Sequence, residues 1–454
     1  MKSRSLRGLT QGVKEQLIRR VFEQRVRRLE KQPADKAGEA PGNLRAFPPP
    51  DNVPERFRRF DAHPTFQQMQ LVREGASRLG LADPYFRPHE GVAGATTRIA
   101  GREYLNFSSY NYLGFCGDPD VNAAAAAAIG RYGTSVSASR LVSGERPVHR
   151  ELEEALARAY GVDDCVTFVS GHATNVSTLG HLFGPRDLIL HDALVHNSVL
   201  QGAQLSGAKR MAFAHNDAAS LEDLLRAHRA QFERVLVVIE GVYSMDGDYP
   251  DLPEFVRLKK RHQAFLMVDE AHSFGVMGPR GLGIRDHFGL DGREVDIWMG
   301  TLSKTLAGCG GFVAGERALV DILKHAAPGF LYSVGMSPPV AAASLEALHR
   351  LAAEPARVLA LQERGRQFLE AARSAGIDTG TSRGMAVVPA VTGSSIRAAR
   401  LAEAMFERGV NVQPIIYPAI PENAARLRFF LSAMHTPEQV GFAVDALAEA
   451  WRQT

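Results

Sequence analysis

The chain has 454 residues, 45% hydrophobic and 23% charged, with a formal net charge of +3. That is ordinary for a globular protein and long enough for one large domain plus a smaller one. No run of about 18 apolar residues occurs, which argues against a helical membrane span. Three widely spaced cysteines (Cys116, Cys165 and Cys309) form neither a disulfide framework nor a metal cluster, so no metal is expected and a reducing cytoplasm is the natural compartment.

Residues 1–60 carry 15 Lys/Arg against 7 Asp/Glu, so the start is basic while the remainder is mildly acidic. Within it, "QLIRRVFEQRVRRLEKQ" places Leu17, Val21, Phe22, Val26 and Leu29 at helical spacing, predicting a short amphipathic helix. No apolar core of signal-peptide length accompanies the basic residues. "RAFPPPDNVPERF" then reads as a linker. A basic segment and linker over 1–60 and an N-terminal arm over 61–103 are therefore expected, ahead of a large domain over 104–340. Basic residues gathered at one terminus, without aromatic interleaving, do not suggest a nucleic-acid binder.

From about residue 160, short apolar runs alternate with amphipathic ones. "CVTFVSG", "DLILHD", "RVLVVIEG", "AFLMVDE", "VDIWMG" and "GGFVAGE" are strand candidates, with helix-like segments such as "SLEDLLRAHRAQF" between them. This is the pattern of an α/β fold, a mostly parallel central sheet flanked by helices. "MAVVPAVTG" and "ARLRFFLSA" fit a smaller α+β C-terminal domain over 341–454.

Ligands of such sheets sit at the carboxyl ends of the strands, and several polar groups occupy that position here. Gly171 and His172 follow "CVTFVS", offering N–H groups at a helix start. His196 follows "DLILHD", and "EGVYSMDGD" offers Ser244 and Asp246. Asp269 ends "AFLMVD" three residues before His272, and "MGTLSK" carries Thr301, Ser303 and Lys304. Each alone reads as well as a helix cap or a satisfied core histidine. Together, a strand-end carboxylate, imidazoles, hydroxyls, a glycine turn and a lysine isolated from other charges are the set that pyridoxal 5′-phosphate uses, with lysine as Schiff-base partner and an acid opposite the ring nitrogen.

From about Tyr104 to the C-terminus the chain resembles the α-oxoamine synthases among the fold-type I pyridoxal-phosphate enzymes. The resemblance is carried by "LNFSSYNYLGF", "SRLVSGERPVHRELEEALA", "SGHATN", "HDALVHNS", "FAHND", "EGVYSMDGD", "VDEAHSFGVMG", "GTLSKTLAGCGG" and "ARLRFFLSAMHT", in family order. That family includes serine palmitoyltransferase, 5-aminolevulinate synthase and 8-amino-7-oxononanoate synthase. The resemblance implies that Lys304 bonds to the cofactor and later moves the Cα proton, that Asp269 holds a proton on the pyridine nitrogen, and that His196 stacks on the ring. It places His272 and Ser244 near the phenolic oxygen, and Gly171, His172 and Thr301 at the phosphate. Arg428 would bind the amino-acid carboxylate, with Asn111 near the substrate. The implied reaction is decarboxylative condensation of a small amino acid with an acyl thioester in a homodimer, the partner contributing from near "FLYSVGMSPP". "SVSASRLVSGERP" lacks a glycine pair common in the family. Together with "TLSKTLAGCGG" it is most similar to members in polyketide or prodiginine-type pathways, which tend to take the acyl group from an acyl-carrier protein; the resemblance leaves the donor as an acyl-carrier protein or acyl-coenzyme A. Another fold-type I chemistry, such as amino transfer, would need the same lysine and aspartate. A non-catalytic relative of the fold would not need all of Lys304, Asp269, His196 and Arg428.

Overall fold

Apolar runs bounded by glycine or acidic residues form the strands of the computed structural model, which describes residues 53–454. The amphipathic stretch at residues 16–32 lies outside the described residues. Two units are distinguished, one ending at Asp83 and one running from Pro84 to Thr454. In the first, helix α1 (Pro64–Arg78) begins where Pro64 fixes the opening turn and His63 Nδ1 accepts the Thr65 N–H at 3.2 Å.

In the second unit, β1 (Thr96–Ile99) and β2 (Arg102–Asn106) form an antiparallel pair. The central sheet follows with β3 (Asp164–Phe168), β4 (Leu188–Asp192), β5 (Lys209–Phe213), β6 (Val235–Glu240), β7 (Phe265–Asp269), β8 (Ile297–Thr301) and β9 (Gly311–Gly315). Their spatial order is β3-β9-β8-β7-β6-β4-β5, with β9 antiparallel to both neighbours and every other pairing parallel.

Apart from the edge strand β5, whose Lys209 and Arg210 are exposed, the central strands are largely apolar on both faces because both faces are covered. In β6, Val235, Val237 and Ile239 join one hydrophobic cluster, and Leu236 and Val238 join the other. The period-2 alternation of side chains thus feeds two cores at once, leaving no polar face. Helix α2 (Gly171–Leu182) follows β3 and helix α3 (Asn197–Ser206) follows β4; Leu179, Val199 and Ala203 place both against the second cluster.

The C-terminal part supplies β10 (Val387–Val391), β11 (Val410–Asn411), β12 (Gln413–Ile415) and β13 (Arg426–Phe430). Strand β13 sits between β10 and β12, antiparallel to each, while β11 joins β2 in parallel. The expected boundary between residues 103 and 104 falls inside β2. Residues 341–454 are continuous with the rest of the Pro84–Thr454 unit. Among the described residues no helix is long and apolar enough to cross a membrane.

Candidate active site

The floor of the site comes from strand register. β6 and β7 run parallel with Glu240 opposite Asp269, so two carboxyl groups share one face at the strand ends. Asp269 Oδ2 accepts from Asn175 Nδ2 at 2.8 Å and Oδ1 from the Ala271 N–H at 3.0 Å. Glu240 is buried and Oε1 accepts the His196 backbone N–H. Burial, and then the neighbouring Asp269 charge, push its carboxyl well above the usual carboxylate range.

Lys304 lies just beyond β8. Its Nζ has no hydrogen-bond or ion-pair partner among the described residues and sits 5.7 Å from the centre of the Tyr110 ring. Burial brings the amine down to about 8, against the opposing pull of Asp269. The isolation of this lysine in the sequence corresponds to desolvation in the fold.

Three imidazoles surround this region. His196 caps α3, with Nδ1 2.7 Å from Ser198 Oγ and accepting the Ser198 N–H at 3.3 Å. The His172 ring stands edge-on to it at 6.3 Å. His272 is buried with Nδ1 2.7 Å from the Tyr112 hydroxyl, and its ring lies near-parallel to Phe430 at 6.3 Å. Burial, then Lys304 and Arg428, hold His272 well below its ordinary value, so it is neutral.

Arg428, in the middle of β13, reaches back to the large sheet. Its Nη1 donates to the Ser244 carbonyl at 3.2 Å, and its guanidinium lies 4.6 Å from the Phe430 ring centre. Its Nε is buried without a partner, so part of the fork remains available to an anion. Ser244 therefore enters the site through its backbone oxygen. Asn111 lines a cleft of about 410 Å³ with Ser108, Tyr110, Lys304 and Gln413. Its amide is committed to the loop itself: Nδ2 donates to the Ala93 and Cys116 carbonyls at 2.8 and 3.2 Å, and Oδ1 accepts the Cys116 N–H at 3.0 Å.

Gly171 opens α2 directly against Thr301, where a Cβ would lie 2.8 Å from the threonine Oγ1. Glycine thus lets the start of α2 pack closely against the end of β8, while Ser170 Oγ accepts the Ala173 N–H of the first turn at 3.4 Å. Thr301 Oγ1 donates to the Gly310 carbonyl at 2.9 Å and accepts the Ser303 N–H at 3.2 Å, bracing the loop that carries Lys304. The parts fit pyridoxal phosphate: an unpartnered amine, a carboxylate held by two donors, a glycine cradle at a helix start and an incompletely used guanidinium.

A family model for aminotransferase class I and II matches residues 102–447. A putative 8-amino-7-oxononanoate synthase of Desulforudis audaxviator is 42% identical over 364 residues, covering 80% of this chain and 94% of the relative. The serine palmitoyltransferase of Bacteroides thetaiotaomicron is 37% identical over 369 residues, covering 81% and 93%. The chain belongs to the aminotransferase class I and II family, on its α-oxoamine synthase branch. A solved serine palmitoyltransferase carrying PLP shares the fold with a TM-score of 0.82 at 29% identity, over 86% of this chain and 98% of that one.

Within this α-oxoamine synthase frame, four residues of the site escape sequence reasoning as functional parts. Glu240 ends β6 as Asp269 ends β7, which was a readable signal. Tyr110 lies within a quoted motif, in "SSYNYLG". Asn175 and Ser198 close the motifs "SGHATN" and "HDALVHNS", but each stands in the first turns of a helix, where position along the chain does not show what its side chain meets.

Proposed function

We propose that this chain condenses a small amino acid with an acyl thioester, releasing CO2 and the free thiol and leaving an α-amino ketone, with pyridoxal 5′-phosphate as cofactor. The observation that carries the reading is a buried, unpartnered Lys304, its amine lowered to about 8 by burial, at the carboxyl ends of β6, β7 and β8, beside Asp269. Bound there, the cofactor withdraws electrons from the amino acid's Cα, so that this carbon can attack the thioester carbonyl.

The chain's own residues supply the rest. Lys304 forms the covalent link and, freed by the incoming amino acid, takes the Cα proton on Nζ, which an amine titrating near 8 can do. Asp269, steadied by Asn175 and Ala271, holds the proton on the ring nitrogen. Arg428 presents its unused Nε and remaining fork to the amino-acid carboxylate. His196 would cover the cofactor's ring, and Gly171, His172 and the Thr301-braced loop would hold its phosphate. His272 and the Ser244 turn would lie near its phenolic oxygen, and Asn111 lines the cleft that leads to Lys304.

The reading includes a homodimer. Residues 138–144 and 330–335 are adjacent, joined by the Gly335 N–H to Ala138 carbonyl bond at 2.9 Å, and they expose Leu141, Val142, Tyr332 and Val334 together. An apolar patch of this kind favours burial against a second copy. It also includes an acyl-carrier protein as thioester donor, drawn to the basic residues 1–60, and a cytoplasmic location in keeping with three unpaired cysteines.

The test is a two-substrate assay of the holoenzyme. CO2 release should require both an amino acid and an acyl thioester, and Lys304→Ala should abolish it. Transfer of the amino group to a keto acid without CO2 would replace this reading with an aminotransferase. Reversing the charge of the arginines between residues 19 and 28 should slow carrier-bound substrate and spare coenzyme A substrate; equal effects would remove the carrier-protein element.

A further inference from the structure

Helices α2 and α3 approach closely because Gly202 has no side chain. A Cβ there would lie 2.7 Å from the Asn175 carbonyl oxygen and 2.9 Å from Leu179 Cβ. This contact places Ser198, in the first turn of α3, beside the Asn175 side chain. Asn175 Nδ2 donates one hydrogen to Asp269 Oδ2 at 2.8 Å and the other to Ser198 Oγ at 2.9 Å. The amide orientation follows from its neighbours, since turning its oxygen toward Asp269 would set two acceptors against each other. Ser198 Oγ, having accepted from Asn175, gives its single hydrogen to His196 Nδ1 at 2.7 Å. The Ser198 N–H is aimed at the same nitrogen from 3.3 Å. His196 Nδ1 is therefore an acceptor from two directions, and the imidazole proton belongs on Nε2.

We propose that Asn175 and Ser198 are positioning residues that lock His196 as the neutral Nε2–H imidazole and couple that state to the Asp269 carboxylate. The proposal goes beyond the reaction proposed above and rests on that reading only for the cofactor's presence between His196 and Asp269. An imidazolium on one ring face would repel a ring whose nitrogen carries a proton, so a neutral histidine lets Asp269 hold that proton unopposed. Its Nε2 is left carrying the ring's one proton as a fixed donor. The other groups around the ring act in both directions. Burial, Lys304, His172 and Arg428 disfavour a charge on His196; Asp269 favours one; Glu240 faces only its backbone N–H.

The experiment follows deuterium exchange at the His196 C2 position against pH, resolved by peptide mass spectrometry on the holoenzyme. The wild-type midpoint should lie below the ordinary 6.5. Ser198→Ala removes the hydroxyl donor to Nδ1 and should raise the midpoint by about one pH unit, the worth of one buried hydrogen bond. Ser198→Thr, which keeps the hydroxyl, should restore it, and the acid limb of kcat should move with the midpoint. An unchanged midpoint in Ser198→Ala, or equal shifts in the Ala and Thr variants, would overturn the proposal. If Ser198→Ala does not fold, a wild-type midpoint at or above 6.5 overturns it alone. The titration is readable whatever reaction the enzyme performs, so a wrong reaction and a wrong tautomer give different results.

Discussion

Replacing Lys304 with methionine should make the cofactor-free protein more stable at neutral pH. Burial lowers the Lys304 amine from 10.5 to about 8, so the folded chain binds the proton less tightly than the unfolded chain does. At about 1.4 kcal/mol per pH unit, keeping that ammonium buried at neutral pH costs the folded state about 3 kcal/mol. Between about 8 and 10.5 the unfolded chain holds more protons than the folded one, so wild-type stability rises with pH across that window. The benefit is complete above the unfolded value and is lost as pH falls through the folded one. Methionine keeps an unbranched side chain of similar length and removes the charge. Urea unfolding of cofactor-stripped wild type and Lys304→Met, followed by far-ultraviolet circular dichroism at several pH values, measures the difference. The variant should exceed wild type by about 3 kcal/mol at neutral pH, with the gap closing toward 10.5. A variant less stable than wild type at neutral pH, or a gap independent of pH, would refute the assignment of Lys304 as a desolvated amine.

Gly202→Ala should lower the unfolding free energy by about 1–3 kcal/mol, because its Cβ has backbone as its nearest neighbour and the helices must separate; thermal melts of the two proteins compare them. His215 bridges Asp192 at 2.9 Å and Asp248 at 3.0 Å, and although burial opposes its charge, these bonds raise it to about 10. A raised value gives stability that is full below the ordinary 6.5 and lost as pH climbs through about 10, so wild type should weaken over that range and His215→Asn should lack the slope. Denaturant midpoints across that range decide it. Arg140, only 4% exposed, pairs with Glu145 at 2.6 Å and with Glu153. Arg140→Met leaves the fully buried Glu153 with Lys324 as its remaining cation at 2.7 Å, and should destabilise the fold by about 3–5 kcal/mol; an unchanged urea midpoint would show that Lys324 suffices.

The site was legible in the sequence to the extent that each part sits next to its own strand. Asp269, Thr301 and Lys304 follow apolar runs that had to be buried, and the last polar residue of a parallel strand has one place to go. Gly171 was legible for the same reason, as the turn between a strand and a helix. The α/β pattern, with its continuous apolar runs, required helices on both faces, and Leu236 and Val237 falling into opposite cores is that requirement met.

Roles set by side-chain partners were less accessible. Asn111 and Thr301 read as ligands but have their polar atoms committed to neighbouring backbone, because a hydrogen bond depends on an orientation that composition does not encode. Ser244 meets Arg428 through its carbonyl, a group every residue has. Glu240 stands beside Asp269 only because two parallel strands pair in one register, and the upward shift of its carboxyl follows from burial and from that proximity. The chain from Asn175 through Ser198 to His196 joins two helices across a contact that Gly202 permits. The sequence by itself determined the sheet, its buried faces and the residues at the strand ends, since those follow from local periodicity and the need to hide apolar surface. Only the tertiary structure decided which of those residues share protons, because protonation depends on neighbours distant in the chain and on the water excluded between them.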